Sequence, residues 1–203
     1  MVENFLRLTL AAVVLLAAGD AYAQQPQRNF RFGLMAGLTG GGDTLATVTF
    51  TNGDSENIKA GGLVHIAAGV VWQPPQIPFG GHLMVGYHID NITADNGDLR
   101  FSRYPIEVLG YWTGAAPLRL GAGVRFVNSP KLAIDVPGAN ANVTFKDTVG
   151  TVVEVGYQPA PNWWISLRGT FEDYEAKSFN GAPVVATGKS SGNSVGLYIG
   201  ASF

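Results

Sequence analysis

The chain closes with the stretch Ser194-Val195-Gly196-Leu197-Tyr198-Ile199-Gly200-Ala201-Ser202-Phe203. Every second residue of this stretch is apolar, and the residues between them are small or amphipathic. Because side chains along a β-strand alternate between its two faces, this period of two predicts a strand with one apolar face and one more polar face. The last strand of a soluble sandwich would show the same period, so this stretch alone does not distinguish a soluble sheet from a membrane sheet.

Residues 1–23 have the three parts of a secretory signal peptide. Arg7 lies in a short leading region, residues 8–19 form an apolar run, and Ala21-Tyr22-Ala23 matches a small-x-small cleavage site. The apolar run is roughly a dozen residues long, too short for a membrane-spanning helix of about 20. We therefore expect export from the cytoplasm and cleavage near Ala23, which leaves residues 24–203 as one domain.

The composition excludes several classes of protein. The chain has no cysteine, so disulfides cannot stabilise it, and its net charge of −2 lacks the basic excess that a nucleic-acid partner requires. Only 14% of the residues are charged, whereas 27 are glycine. Such a low charge content suits a surface embedded in lipid, where charged side chains are costly.

Alternation with period two recurs in eight segments. They cover residues 30–38, 62–72, 79–89, 101–112, 118–126, 148–157, 163–173 and 194–203. Short turns that contain proline, at residues 73–78, 113–117 and 158–161, alternate with longer polar segments, at residues 90–98, 128–146 and 174–193. The turn signal Asn52-Gly53-Asp54 predicts a first hairpin that either projects beyond a membrane or ends in a polar loop. Pro105 predicts a local kink or bulge in the fourth strand.

The distribution of apolar residues favours a membrane barrel over a soluble sandwich. The apolar faces are too extensive to be buried inside, and the opposite faces are rich in glycine with too few charges for a wet surface. Aromatic residues also cluster beside the short turns, as expected where a barrel meets the membrane interface. This set is Trp72, Phe79, Tyr111, Trp112, Tyr157, Trp163 and Trp164. We predict an all-β, eight-stranded antiparallel up-and-down transmembrane barrel, whose closure satisfies every backbone polar group.

These features together resemble the small eight-stranded outer-membrane β-barrel superfamily, which includes outer-membrane proteins A, X and W and the opacity-type surface proteins. The resemblance covers residues 30–203, and no motif identifies a subfamily. It implies a bacterial outer-membrane location, with lipid and lipopolysaccharide around the barrel and the short turns facing the periplasm. It also implies that the barrel assembly machinery reads the C-terminal strand as a signal, through Val195, Leu197, Ile199, Ala201 and Phe203.

The inward phase of the predicted strands carries most of their charges. An eight-stranded barrel is only wide enough for side chains to fill its interior, and an unpaired charge there costs several kcal/mol. We therefore expect a packed ionic plug, with a narrow passage for ions or small apolar molecules as the alternative. The predicted network is Arg31, Arg103, Glu107, Arg119, Arg125, Glu154, Arg168 and Glu172.

Three histidines, His65, His82 and His88, share the inward phase. His82 and His88 lie on one strand near 20 Å apart, at about 3.3 Å per residue, so they cannot chelate one metal together. His65 could approach either of them from the neighbouring strand. We expect hydrogen-bonded lumen histidines, with no metal and no cofactor.

No sequence feature predicts catalysis. Some barrels of this size modify lipid A with serine and histidine near the lipid-facing rim, but no histidine here lies in a recognisable motif with serine. We therefore expect a non-enzymatic barrel whose surface loops serve interaction or envelope integrity. A narrow channel and a lipid A-modifying enzyme are the alternatives.

Overall fold

The structure is a computed structural model that describes residues 29–49, 53, 55–94, 97–136, 139–185 and 188–203. The expected signal peptide lies outside the described residues. Within them, no helix is long and apolar enough to cross a membrane. The described strands are β1 Phe30–Gly41, β2 Thr44–Thr49, β3 Ser55–Lys59, β4 Leu63–Trp72, β5 Phe79–Ala94, β6 Gly97–Ala115, β7 Leu118–Val136, β8 Ala139–Phe145, β9 Thr148–Ala160, β10 Trp163–Phe171, β11 Asp173–Tyr174, β12 Ala176–Phe179, β13 Ala182–Pro183, β14 Ser190–Ser191 and β15 Ser194–Ser202.

Eight of these strands form a closed antiparallel barrel in the order β1, β4, β5, β6, β7, β9, β10 and β15. The C-terminal strand closes the ring, because β15 pairs with β10 on one side and with β1 on the other. Leu197, for example, lies opposite both Leu38 and Leu167. The predicted fold class is confirmed.

The barrel wall has an apolar exterior and a polar interior. Outward residues such as Val155, Leu167 and Leu197 are more than half exposed, whereas Arg125 and Arg168 on the inner face are fully buried. This inverted polarity follows from the period-two pattern, because each strand sends its apolar residues outward and its glycine, charged and hydroxyl residues inward. A barrel with this exterior is stable only where an apolar solvent covers it.

At the end of the barrel that carries the long connections, the wall continues as paired strands beyond the part with the apolar exterior. The upper parts of β5, β6 and β7 pair in register with one another, and β8 pairs with β7. The predictions of a polar loop at residues 90–98 and of an irregular segment at residues 128–146 were therefore wrong, apart from residues 95–96 and 137–138, which lie outside the described residues. Polarity inverts there: Leu99 and Phe101 are buried inside, while Arg100 is exposed outside. Strands exposed to water turn their apolar face inward, so the period of two persists but the apolar face is the opposite one to that in the lipid-facing parts.

The inversion of polarity coincides with irregularities in β6 and β7. The β6–β7 register shifts between Ser102 and Tyr104, and Ser129 has a φ of 49°. The β5–β6 pairing runs to Val85–Ile106 and resumes at His88–Arg103, with Pro105 in the interval. This interval keeps the β5–β6 register, and Pro105 pairs with Val127 of β7, so the irregularity predicted at Pro105 lies just before it, between Ser102 and Tyr104.

The first hairpin is a small separate sheet rather than an extension of the barrel wall. Strands β2 and β3 pair only with each other among the described strands. The side chain of Ile58 on β3 is fully buried, in an apolar cluster with Phe101 and Tyr174. The backbone N–H of Lys59 donates to the Asp90 carboxylate at 2.8 Å, which fixes the hairpin to β5. The base of this hairpin therefore packs across the long-connection end of the barrel.

Inward-facing glycines let neighbouring strands approach closely, and Gly123→Ala tests their role. A Cβ at Gly123 would lie 2.1 Å from the carbonyl oxygen of Val108, whereas a Cβ at Gly110 would meet nothing within 4 Å. We expect Gly123→Ala to lower the free energy of unfolding by about 1–3 kcal/mol, the usual cost of overpacking. Urea titration of the refolded barrel measures this, with Gly110→Ala as the matched control. Equal effects of the two substitutions would contradict the steric argument.

Candidate functional site

The most distinctive feature of the interior is a linear chain of seven charged side chains that alternate in sign. Its order is Arg119, Glu154, Arg168, Glu107, Arg125, Glu172 and Arg103. We call this chain the ion ladder. Each of its glutamates bridges two arginines, and nearly all of its nitrogen–oxygen distances lie between 2.6 and 3.1 Å. The exception is the last step, where Arg103 Nε lies 3.9 Å from Glu172.

The ladder ends on an arginine at each end, and aromatic rings cover both. The Arg119 guanidinium lies 3.7 Å from the Tyr111 ring centre and 4.4 Å from that of Trp164. The Arg103 guanidinium lies 4.8 Å from the Phe101 ring centre. A ring face attracts a cation through its quadrupole. Each terminal arginine, which has only one carboxylate, therefore gains a second favourable contact.

Two of the three histidines stack beside the upper part of the ladder. The rings of His65 and His88 are 5.1 Å apart. His88 contacts Arg125 at 2.8 Å and Arg103 at 2.9 Å through Nδ1, and Thr39 at 2.8 Å through Nε2. Arg103 also lies 3.1 Å from Nε2, and because an arginine nitrogen can only donate, the His88 ring serves as an acceptor for the two arginines.

His82 is separated from the other two histidines. Its ring lies in edge-to-face contact with Tyr111, and the Tyr111 hydroxyl approaches His82 Nδ1 at 3.0 Å. The structure thus brings His65 and His88 together and places His82 near the Arg119 end. Among the described residues, no three histidine, aspartate or glutamate side chains are arranged to hold a metal ion.

One residue of the predicted network lies outside the ladder. Arg31 is at the short-turn rim, where its Nη1 donates to the Pro161 carbonyl at 2.8 Å. The prediction that Arg31 joins the ionic network was therefore wrong. Arg31 does lie on the inward face of β1, as predicted. Because it is near the end of the strand, its side chain can turn to the rim instead of entering the interior.

The predicted interface aromatics divide into two groups. Trp72, Phe79, Trp112, Tyr157 and Trp163 point outward near the short turns and are at least one-third exposed. Tyr111 and Trp164 are buried inside the barrel, so the prediction that they contact the membrane interface was wrong. Their strand phase is inward, and their rings cover Arg119 instead of contacting lipid.

An apolar cluster closes the barrel above Arg103. It contains Ile58 from the hairpin and Phe101, Phe145 and Tyr174 from the extended wall. Burial raises the pKa of the Tyr174 phenol, which stays protonated and donates to Glu172 at 2.5 Å. The upper end of the ladder is therefore covered by packed rings and not by solvent.

Comparison with known proteins gives a structural match without a sequence match. No family model matches the chain, and no curated protein does. The structure of Ail, the attachment invasion locus protein of Yersinia pestis, in complex with the heparin analogue sucrose octasulfate, has a TM-score of 0.52 at 11% identity; the match covers 86% of this chain and 97% of Ail. The chain has the fold of a small eight-stranded outer-membrane β-barrel.

Two further outer-membrane barrels give weaker matches. Neisserial surface protein A has a TM-score of 0.48 at 11% identity, with 88% of this chain and 100% of that chain covered. The outer-membrane protein AlkL, solved in DMPC lipid bilayers, has a TM-score of 0.43 at 10% identity, with 91% and 95% covered. In outer-membrane barrels the short turns face the periplasm. On that orientation, Arg119 is at the periplasmic end of the ladder and Arg103 at the extracellular end.

The predicted set of residues misses several partners of the ladder. Tyr198 packs under Arg168 with 4.4 Å between the guanidinium and the ring centre, and its hydroxyl lies 3.2 Å from His65. Gly37 leaves the space for this ring, because a Cβ there would lie 2.3 Å from it. The sequence does place Gly37 and Tyr198 on the inward faces of two strands, but only the β1–β15 register shows that they lie side by side.

Proposed function

We propose that this protein is a sealed, non-enzymatic integral barrel of the bacterial outer membrane, which displays an extracellular β-structure for interaction or envelope integrity. The ion ladder carries this proposal, because its seven side chains are at most 4% exposed and cross the interior from Arg119 to Arg103. A buried, continuous chain of ion pairs fills the space that a pathway would need.

The cap above the ladder supports a sealed barrel over a channel. A hydrated pathway would have to pass both the ladder and the apolar cluster of Ile58 and Phe101. Opening it would separate several buried ion pairs, and breaking even one such pair costs about 3–5 kcal/mol. A barrel closed in this way serves as a rigid anchor for whatever projects above it.

The display surface is the wall that rises above the lipid-facing band. It consists of the upper parts of β5, β6 and β7 together with β8, β12 and β13. Its strand pairing gives it a fixed shape, which suits specific recognition better than a mobile loop does. The apolar band below it supports lipid and lipopolysaccharide as surroundings, and the C-terminal strand supports recognition by the barrel assembly machinery.

The charge of the extracellular side restricts the kind of partner. Carboxylates outnumber cationic side chains by nine to six in the sequence of the segments beyond the lipid-facing strands, once the buried Asp90 is left aside. The acidic set is Asp43, Asp54, Glu56, Asp95, Asp98, Asp135, Asp147, Asp173 and Glu175, and the basic set is Lys59, Arg100, Lys131, Lys146, Lys177 and Lys189. We infer a neutral or cationic partner, because a sulfated ligand like the one bound to Ail would be repelled.

Single-channel recording tests the sealed barrel. We expect the folded chain in a planar bilayer to show no reproducible conductance steps, because no hydrated path crosses the ladder. Resistance of the barrel to urea and its shift in gel mobility before heating establish that the protein in the bilayer is folded. Steps in the wild-type recording that change on Glu154→Ala would overturn the proposal and make the interior a pathway.

A further inference from the structure

The ion ladder itself carries one more positive than negative charge, and the further buried carboxylate of Asp90 lies beside its Arg103 end, next to Gly62. The ladder contains four arginines and three glutamates, and both of its ends are arginines. At the extracellular end, Arg103 is covered by the apolar cluster. At the periplasmic end, Arg119 borders a cavity, so a ligand can approach the excess charge only from this side.

The cavity beside Arg119 is small and continues toward an open recess. The inner cavity has a volume of ≈ 10 Å³ and is lined by Arg119, Trp164, Tyr111, His82, Gln73 and Gln158, among others. The recess has a volume of ≈ 280 Å³ and is lined mainly by the short turns around Pro117 and Pro159. Both share Gln73, Thr113 and Gln158 as walls. We call the two together the vestibule.

Two buried N–H donors in the wall of the inner cavity have no acceptor. Arg119 Nε and Trp164 Nε1 lack a hydrogen-bond partner among the described residues, although their side chains are only 4% and 1% exposed. Leaving a buried donor unpaired is unfavourable, because the donor has lost its hydrogen bond to water without gaining another. Both donors belong to residues in cation–π contact with each other, at 4.4 Å, so a single acceptor atom could lie close to both.

The electrostatic surroundings of the vestibule favour an anionic acceptor. The periplasmic turns at residues 73–78, 116–117 and 161–162 contain no aspartate or glutamate. The nearest carboxylate in the ladder, Glu154, has Oε1 bound to Arg119 and Oε2 bound to Arg168.

We propose that the vestibule is a binding site for a small carboxylate. One carboxylate oxygen enters the inner cavity, which has the volume of about one water-sized sphere, and accepts from Arg119 Nε and Trp164 Nε1. The remainder of the molecule occupies the recess, where the amides of Gln73 and Gln158 border it. This site lies at the end opposite the display surface and does not depend on the function proposed above.

Indole nitrogen NMR in lipid nanodiscs tests this site directly. The chain has four tryptophans, so the ¹⁵N-labelled barrel gives four indole signals, and Trp164→Phe identifies the relevant one. Sodium acetate is titrated as the probe, with neutral acetamide and sodium chloride in parallel. We expect a saturable shift of the Trp164 signal with acetate alone, while Trp72, Trp112 and Trp163, which face outward, report the general effect of salt.

Two variants separate binding from structure. Arg119→Lys keeps the charge but removes Nε, and we expect acetate affinity to fall about tenfold or more, as loss of a charged hydrogen bond predicts. Gln158→Leu lies outside the ladder and is expected to weaken acetate binding; because it also removes the hydrogen bonds from Gln158 Nε2 to Gln73 and Pro161, urea titration of the variant checks that the barrel is still folded. A Trp164 signal that moves no more than the other three, or that responds equally to acetamide, would overturn the site. A response to chloride alone would overturn its assignment to carboxylates.

Discussion

Arg168→Met is expected to lower the free energy of unfolding by about 3–5 kcal/mol, because it breaks two buried ion pairs from one side. Arg168 lies at the centre of the ladder, 2.7 Å from Glu107 and 2.6 Å from Glu154. Methionine fills a similar volume but leaves both carboxylates short of a cation. Urea titration of the folded barrel in lipid vesicles, followed by tryptophan fluorescence, measures the change.

The surface pair Lys146–Glu175 supplies the matched control. Both side chains are partly exposed, and the lysine Nζ lies 2.5 Å from the carboxylate. An ion pair that water already solvates contributes little, so Lys146→Met is expected to leave stability unchanged. If Arg168→Met were as mild as Lys146→Met, the ladder would not hold the barrel together, and the argument for a sealed interior would lose its energetic basis.

The sequence predicts the lipid-facing part of this fold well because one rule governs it. Every outward residue faces hydrocarbon, so the alternation of Leu118, Leu120, Val124 and Phe126 in β7 is uninterrupted and indicates both the strand and its phase. Closure of the barrel then follows, since an open edge is not tolerated in lipid.

The extracellular wall was missed because two changes occur together where β7 leaves the lipid. The face that is apolar switches from outer to inner, and the irregularity at Ser129 shifts the parity of the alternation. A period of two does persist through Leu132, Ile134 and Val136, and this is the signal that could have predicted the strand. The two changes cancel, so the apolar residues stay at even-numbered positions, and the interruption at Asn128, Ser129 and Pro130 is what makes the segment resemble an irregular one.

The candidate site was predicted as a set of residues but not as an arrangement. Strand phase alone places Glu107, Arg125 and Arg168 inside. The order of the ladder depends on cross-strand register and strand tilt, which bring Arg168 on β10 to Glu107 on β6 across the interior. Similarly, the position of Trp164 beside a short turn does not show whether its side chain faces lipid or Arg119. Its place next to Trp163 does, because neighbouring residues of a strand point to opposite faces.

The outer surface of β10 marks the width of the apolar band. Trp163 and Phe171 lie at its two ends on the outward face, and Leu167 lies midway between them. Eight residues of a strand tilted by about 40° span roughly 20 Å of height, close to the apolar band of about 25 Å found in outer-membrane barrels. Leu167 is therefore placed near the middle of the membrane.

Leu167→Arg is expected to lower the free energy of unfolding in lipid vesicles by about 2–4 kcal/mol, the cost of an arginine at the bilayer midplane on the lipid face of a barrel. Thr93→Arg is the matched control: it lies on the outer face of the extracellular wall, opposite Asp98, and an arginine there meets water and a carboxylate. Urea titration in vesicles compares the two. Because polarity inverts between these positions along one wall, the same side chain should be costly at residue 167 and harmless at residue 93. Equal tolerance of both would mean that the apolar exterior is not in contact with hydrocarbon.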